Sequence, residues 1–431
     1  MRIKLLAVCG LLFVLMGVCS AETDVTPMDI QTVKTKLNSA NPYFREVWSQ
    51  VFAGRGLSFQ PPAIKAFSGT VSSACGKIEP GNGLYCSGDD TIYLDAQFLA
   101  QLMKDTAEHN KTDGDYAAIV VAAHEFGHQV ARQLGSTGSL SFTEEQQADC
   151  LAGAVTRQAR IDGYLEPGDL QEARYALAIS GDLTAIRGSI GELANESEHT
   201  SHGSPAQRVN SFDRGYYVGP PACTDKLGVP GVPPAGGVIA SDYIGQTKAG
   251  VGAYCVWSPT FGGLKVSSIS QSDVCELRFG GGLSLPADFR VELTARPIRG
   301  KADQCYGLLV GQRDNKDPLV NHYVFCVAPQ GYSLLGTQNA FNAKGIVDLL
   351  NEPFWIRREN EAVAAGWDVE NHLIVDVHRT EDETVVLGYI NGRFVEMGRS
   401  LQAPQGPVGV YVGGSPMEVL VTGLRILRLS E

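Results

Sequence analysis

The chain has 431 residues, a formal net charge of −12, 44% hydrophobic and 19% charged residues. Such a length suggests two domains, and the composition excludes a disordered chain. The acidic balance, with no Lys/Arg-rich run to offset it, argues against nucleic acid as a partner.

The first residues read as an export signal. Arg2 and Lys4 precede an apolar run from Leu5 to Val18, and Cys19-Ser20-Ala21 forms a small-residue cleavage site. Fourteen mostly apolar residues are short for a membrane span. A signal peptide over 1–21, cleaved before Glu22, is therefore expected, with no membrane span afterwards and a secreted or periplasmic protein. Lipidation of Cys19 is disfavoured, because Val18 stands where a small residue would be needed. Removing Cys9 and Cys19 leaves Cys75, Cys86, Cys150, Cys223, Cys255, Cys275, Cys305 and Cys326. An even number behind an export signal, with no C-x-x-C spacing, predicts disulfides rather than cysteine metal sites.

Val25 to Phe52 reads as a helix, with Pro27 near its start and Gly54 and Gly56 after its end. Ala63–Ala74 and Leu84–Leu94 are strand-like and flank the turn-rich stretch GKIEPGNG, which suggests a hairpin. Cys75 and Cys86 bracket that turn, so Cys75–Cys86 is the simplest pairing. Asp95 is expected to cap a helix from Ala96 to about Glu108. Asp115 is expected to cap the next, which carries AAIVVAAHEFGHQVA (Ala117–Ala131) and stops at Gly135. Thr143 and Gln146 have capping-box spacing ahead of a helix over Thr143–Ile161. Further helix is expected over Pro167–Ile179, over Asp182–Leu193 and from Pro205 to Gly215. Up to Cys223 the pattern is a small sheet followed by packed helices, an α+β layout.

Lys226–Ser241, KLGVPGVPPAGGVIAS, reads as a linker. This divides the chain into a domain over 22–224, a linker over 225–241 and a domain over 242–431. Beyond the linker, alternating segments recur: FRVELTA, YGLLVG, NHYVFCVA, HLIVDVH, TVVLGYI, RFVEM, VGVYVGG and EVLVTGLRIL. Asn391-Gly392 is a two-residue hairpin signal. Strands of this number and spacing predict an all-β sandwich.

The chemistry centres on His124, Glu125 and His128. Two imidazoles four residues apart share one helical face, close enough to grip one metal ion, while Glu125 beside them can reach a water on it. HExxH is the sequence form of a zinc hydrolase site. Roughly one random sequence of this length and composition in a hundred would carry it, so the motif needs support. A catalytic zinc takes three protein ligands and leaves a position open. The position six residues after His128 is Leu134, which excludes a third histidine there. The nearest downstream acids are Glu144, Glu145 and Asp149. Glu145 and Asp149 share a helical face, so one can bind the metal while the other holds a ligand histidine through its free ring N–H. The bland alternative is an acidic first helical turn. His202, then His199, in the polar stretch before PAQRV are candidates for donating to an oxyanion. Arg208 suits contact with a substrate carboxylate or, more often, a structural ion pair.

HEFGHQVARQL, EQQADCLAG and SHGSPAQRV, together with ACG…GLYC…TIYLD, resemble the bacterial neutral zinc metallopeptidases within the broader gluzincin group. The resemblance spans roughly Thr26 to Cys223. It implies a zincin-like fold, Zn2+ as cofactor, Glu145 as third ligand, Asp149 as the residue behind a ligand, and hydrolysis of peptide bonds in a peptide or protein substrate. Glu125 would take the proton of a zinc-activated water and deliver it to the leaving amine. With Cys75–Cys86 paired locally, parity suggests Cys150–Cys223 and leaves four cysteines in the sandwich.

The sandwich resembles the concanavalin-A/laminin-G type (a jelly roll), on its alternating strands and on YINGRFVE before VGVYVGG. That implies a possible glycan or protein ligand. Trp257, Trp355, Trp367 and Tyr332 are aromatics that suit sugar stacking or, more often, a core. Two other readings compete: an extracellular adhesion protein with a non-catalytic zinc domain, and a zinc amidase acting on a cell-wall component. An intact Glu125 disfavours the first, since a structural zinc site has no use for a general base.

Overall fold

The computed structural model describes residues 25–81, 83–136, 142–180, 202–241, 255–269, 275–279, 285–311, 322–338, 346–348, 358–379, 383–400, 408–413 and 416–429. The signal segment, the expected helix over 182–193, His199 and Trp355 lie outside these residues. The chain forms two compact units, 1–210 and 211–431.

In the first unit, helix α1 (Pro27–Ala53) starts with a capping box between Thr26 and Asp29. Five short strands follow: β1 (Ala63–Phe67), β2 (Val71–Ser73), β3 (Gly76–Ile78), β4 (Gly83–Cys86) and β5 (Thr91–Asp95). The expected single hairpin is therefore broken up. β2 and β3 pair with each other, whereas β1 runs parallel to β5 and β4 antiparallel to it, in the order β1-β5-β4. A run of strand-like residues cannot announce which partner it takes, and Gly69 and Gly76, both at positive φ, turn the chain between strands. Cys75 and Cys86 are bonded, with Cα atoms 5.7 Å apart.

Asp95 caps α2 (Ala96–Asn110) by accepting from Gln97 N, and its other oxygen accepts from Gly81 N. α3 (Tyr116–Gln133) is the central helix, and Gly135 follows it at a positive φ. Asp115 does not cap it. That carboxylate pairs with Lys36, and the buried Glu172 instead accepts from Gly114 N and Tyr116 N at the helix start. Glu172 belongs to α5 (Asp169–Ile179), which follows α4 (Phe142–Ile161). α4 already includes Thr143, and Gln146 Nε2 donates to the His202 carbonyl, so the capping-box expectation does not describe this helix start. α6 (Pro205–Val218) begins with reciprocal bonds between Ser204 and Gln207. No helix among the described residues is long and apolar enough to cross a membrane.

The second unit is a β-sandwich. Its strands are β6 (Ala235–Ser241), β7 (Cys255–Thr260), β8 (Gly263–Ser268), β9 (Cys275–Phe279), β10 (Phe289–Arg299), β11 (Tyr306–Val310), β12 (His322–Val327) and β13 (Tyr332–Gln338). They continue as β14 (Ile346–Asp348), β15 (Arg358–Glu359), β16 (Asn371–Arg379), β17 (Thr384–Ile390), β18 (Arg393–Ser400), β19 (Val408–Val412) and β20 (Glu418–Leu429). One sheet runs β18-β17-β16-β10-β20-β8-β7, with β6 also on β20; the other runs β14-β13-β12-β11-β19-β9, with β15 on β13. Alternate residues such as Phe289, Val291 and Leu293, and Leu373, Val375 and Val377, enter one core with Leu308, Val310, Phe325 and Val410. On β20 the inward parity switches from Val419 and Val421 to Leu424 and Ile426, because the register slips there. Cys255–Cys275 and Cys305–Cys326 are bonded within this unit. The expected linker is not wholly featureless: its last residues form β6. Trp257 packs partly buried on the core, Tyr332 is half-buried, and Trp367 is 39% exposed.

Candidate active site

The site forms where α3 meets α4. Contact is close because position 127 is glycine: a Cβ there would lie 2.6 Å from the Ala148 carbonyl oxygen and 2.8 Å from Ala148 Cα. The α4 backbone thereby comes near enough for two of its carboxylates to reach the α3 histidines. His124 Nε2 is 3.2 Å from Glu145 Oε2 and 3.2 Å from His128 Nε2, and His128 Nε2 is 3.5 Å from Glu145 Oε1. Ligand atoms of a tetrahedral zinc with bonds of 2.0–2.1 Å sit about 3.3–3.4 Å apart, so these three side chains are spaced as one metal would hold them.

Hydrogen bonding supports the fit. Glu145 Oε2 is buried and accepts no hydrogen bond, despite its nearness to His124. On the other side of His124, Nδ1 lies 2.7 Å from Asp149 Oδ1. A ring that donates Nδ1–H to Asp149 turns a lone pair at Nε2 toward His128 and Glu145. Three acceptors then converge on one point, which a cation satisfies and protein hydrogen bonds do not.

A buried ion pair holds this arrangement. Arg208, on α6, donates Nε to Asp149 Oδ2 at 2.9 Å and one terminal nitrogen to Oδ1 at 2.7 Å. Its other terminal nitrogen donates to the Ser180 carbonyl at 3.2 Å. Burial favours a neutral Asp149, but the Arg208 and His124 charges outweigh it and hold the carboxyl below its usual range. Burial also works against a charged His124, yet the Asp149 carboxylate, by charge and hydrogen bond, and Glu145 push its pKa up to about 10. Glu145 is favoured neutral by burial and driven well below the usual carboxylate range by the two histidines. A cation taking the place of a proton at His124 Nε2 would meet the same carboxylates.

Glu125 stands apart from this ligand cluster. Its Oε2 accepts from Tyr85 N on β4 at 2.7 Å. Gly83, on the same strand, leaves room beside Oε1: a Cβ there would come within 3.2 Å of that oxygen. His202 is 44% exposed, with Nε2 3.8 Å from Glu145 Oε2. His124, Glu125, His202 and Arg208 open onto one cavity of about 370 Å3. The structure thus brings together His124, Glu125, His128, Glu145, Asp149 and His202. Sequence reasoning missed three contributions: Gly127 as the close contact, Arg208 as the partner of Asp149, and Tyr85 as the donor to Glu125. Arg208 was expected in a structural ion pair but without its partner, and no local signal points to Tyr85.

Comparison with known proteins agrees with this geometry. A family model described as "Putative neutral zinc metallopeptidase" matches residues 31–227. Uncharacterized protein YpfJ of Escherichia coli (strain K12) is 34% identical over 199 residues, covering 42% of this chain and 67% of its own. Uncharacterized protein Rv2575 of Mycobacterium tuberculosis is 32% identical over 200 residues, covering 42% and 65%. Among solved structures, a carbohydrate-binding module from Bacillus subtilis shares 14% identity over 40% of this chain and 91% of its own, with a TM-score of 0.29. A Bacillus subtilis protein of unknown function with a galectin-like fold shares 14% over 46% and 99%, with a TM-score of 0.30. Those structural likenesses are too slight to bear on ligand or function. The match to the family model and the likeness to YpfJ show that the chain belongs to the putative neutral zinc metallopeptidase family.

Proposed function

We propose that the protein is an exported zinc-dependent peptidase whose metal is held by His124, His128 and Glu145. The observation that carries this reading is the buried Glu145 carboxylate facing two imidazole Nε2 atoms at 3.2 and 3.5 Å, with Glu125 kept out of that cluster by Tyr85. Zinc bound there supplies a Lewis acid that polarises a carbonyl and acidifies water. Glu125 is the general base: Tyr85 N–H fixes one oxygen, and the other, beside Gly83, takes the proton and returns it to the departing amine. Asp149 orients His124, and Arg208 keeps Asp149 ionised. His202, at the cavity mouth, donates its ring N–H to the developing oxyanion. A bond between Cys150 and Cys223, both half-cystines, belongs to the same proposal. The sandwich serves substrate or surface targeting.

The test compares zinc content and casein cleavage. Glu125→Gln should keep zinc and lose activity by about 10²–10⁴-fold. Glu145→Ala should lose most of its zinc, and Asp149→Ala should bind it about 10–100-fold more weakly. Full-rate cleavage by Glu125→Gln would refute the mechanism.

A further inference from the structure

The cavity that His124 and Glu125 line is lined also by α2. Phe98, Gln101, Leu102 and Asp105 line it at helical spacings of three and four, so the same face of one helix forms a whole wall. Val121 of α3 and Leu177 and Ile179 of α5 line it as well. Phe98 and Val121 are only half-buried, and Ile179 is 38% exposed, although each is apolar. Asp105 accepts one hydrogen bond, from Gln101 Nε2 at 2.8 Å, and among the described residues no lysine or arginine pairs with it. The guanidinium that lines the cavity, that of Arg208, is committed on both sides, to Asp149 and to the Ser180 carbonyl. Among the described residues, the cavity therefore offers apolar side chains beside a carboxylate that no lysine or arginine neutralises.

From this we infer that Asp105 is a specificity-determining residue, and that the site prefers peptides with lysine or arginine at one position beside the scissile bond. A long cationic side chain matches both features. Its methylenes cover Phe98, Val121 and Ile179, while its head reaches the carboxylate. An acidic side chain would be repelled by the Asp105 carboxylate. A short apolar one would leave the Asp105 carboxylate facing nothing it can bind. The inference rests on the peptidase reading for its substrate but not for its pocket, and the experiment separates the two.

The zinc-loaded full chain is offered quenched fluorescent peptides in which each position flanking the scissile bond is Lys, Arg, Leu, Gln or Glu in turn. At one position Lys and Arg should be preferred at least roughly tenfold over Leu and Gln, the discrimination of a single charge-assisted hydrogen bond. Asp105→Asn should shrink that ratio to about twofold or less, Asp105→Glu should retain its direction, and Asp105→Lys should turn it toward Glu. The same peptides, labelled and titrated against Glu125→Gln by fluorescence anisotropy, read the pocket without turnover. A wild-type ratio near one, or a ratio that survives Asp105→Asn, would overturn the inference. Asp105-dependent binding of Lys and Arg peptides with no cleavage of any peptide would instead sink the peptidase reading and leave the pocket assignment standing.

Discussion

Asp149 and Asp169 are both buried aspartates of the first unit, and their environments push them in opposite directions. Asp149 has Arg208 and His124 against it and stays ionised. Asp169 has burial first, opposed by a hydrogen bond from Glu166 N, and then the negative charges of Glu172, Glu166 and Asp113; its pKa rises from 3.8 to about 6. The folded state thus holds the Asp169 proton more tightly than the unfolded chain. Its contribution is fully present below the unfolded value and is lost as pH rises through about 6. Asp169→Asn keeps an acceptor for Glu166 N–H and removes the charge. It should raise stability at pH 7.5 by about 1 kcal/mol, solvent screening having reduced the full linkage value, and by little at pH 4. Thermal unfolding at the two pH values checks this, and equal shifts at both would refute the burial account. At this scale the sequence disclosed His124, Glu125 and His128 outright, because their spacing is local. It left Glu145 and Asp149 as a pair without assigned roles until a family resemblance separated them. It could not disclose that Arg208 lies on Asp149, 59 residues away in the chain.

At the scale of elements, α3 and α4 work as a unit whose closeness depends on Gly127. Gly127→Ala forces backbone against backbone, where no rotamer change relieves the clash, so the helices must separate. Overpacking of this kind costs about 1–3 kcal/mol. Because Glu145 and Asp149 ride on α4, zinc content should fall together with the melting temperature. Loss of stability with unchanged zinc content would mean that the helices separate elsewhere. The start of α3 shows how an element can be read correctly and its cap wrongly. Asp115 has the right residue type in the right place, yet Lys36 takes it and a carboxylate from α5 serves the helix instead. In the sandwich, strands with three or four apolar residues in alternation, such as β16 and β10, were evident from sequence. β8, GLKVSS, was not: only Leu264 and Val266 are apolar at its inward positions, too few for a period of two to stand out.

On the scale of the whole molecule, two units with separate cores predict separate responses to metal. Zinc that binds only the folded first unit stabilises it by mass action, about 4 kcal/mol when free metal is a thousandfold above its dissociation constant. Chelation should lower one calorimetric transition by several degrees and leave the sandwich transition in place. If both move equally, the units unfold together. The α+β-then-sandwich architecture was legible because each part has its own periodicity, 3.6 in one and 2 in the other. The order of strands was not, since pairing is decided by partners far along the chain.

The bond from Tyr85 N–H to Glu125 also bears on the edge of the small sheet. β4 is an outer strand of its three-stranded sheet, and Tyr85 N–H points away from β5, where a strand of another molecule would add. Glu125 occupies that donor, so the sheet ends at a side chain instead of at an open edge. The proposed general base thus also fills an edge donor, and a glutamine at 125, with its carbonyl, would fill it without being able to take a proton.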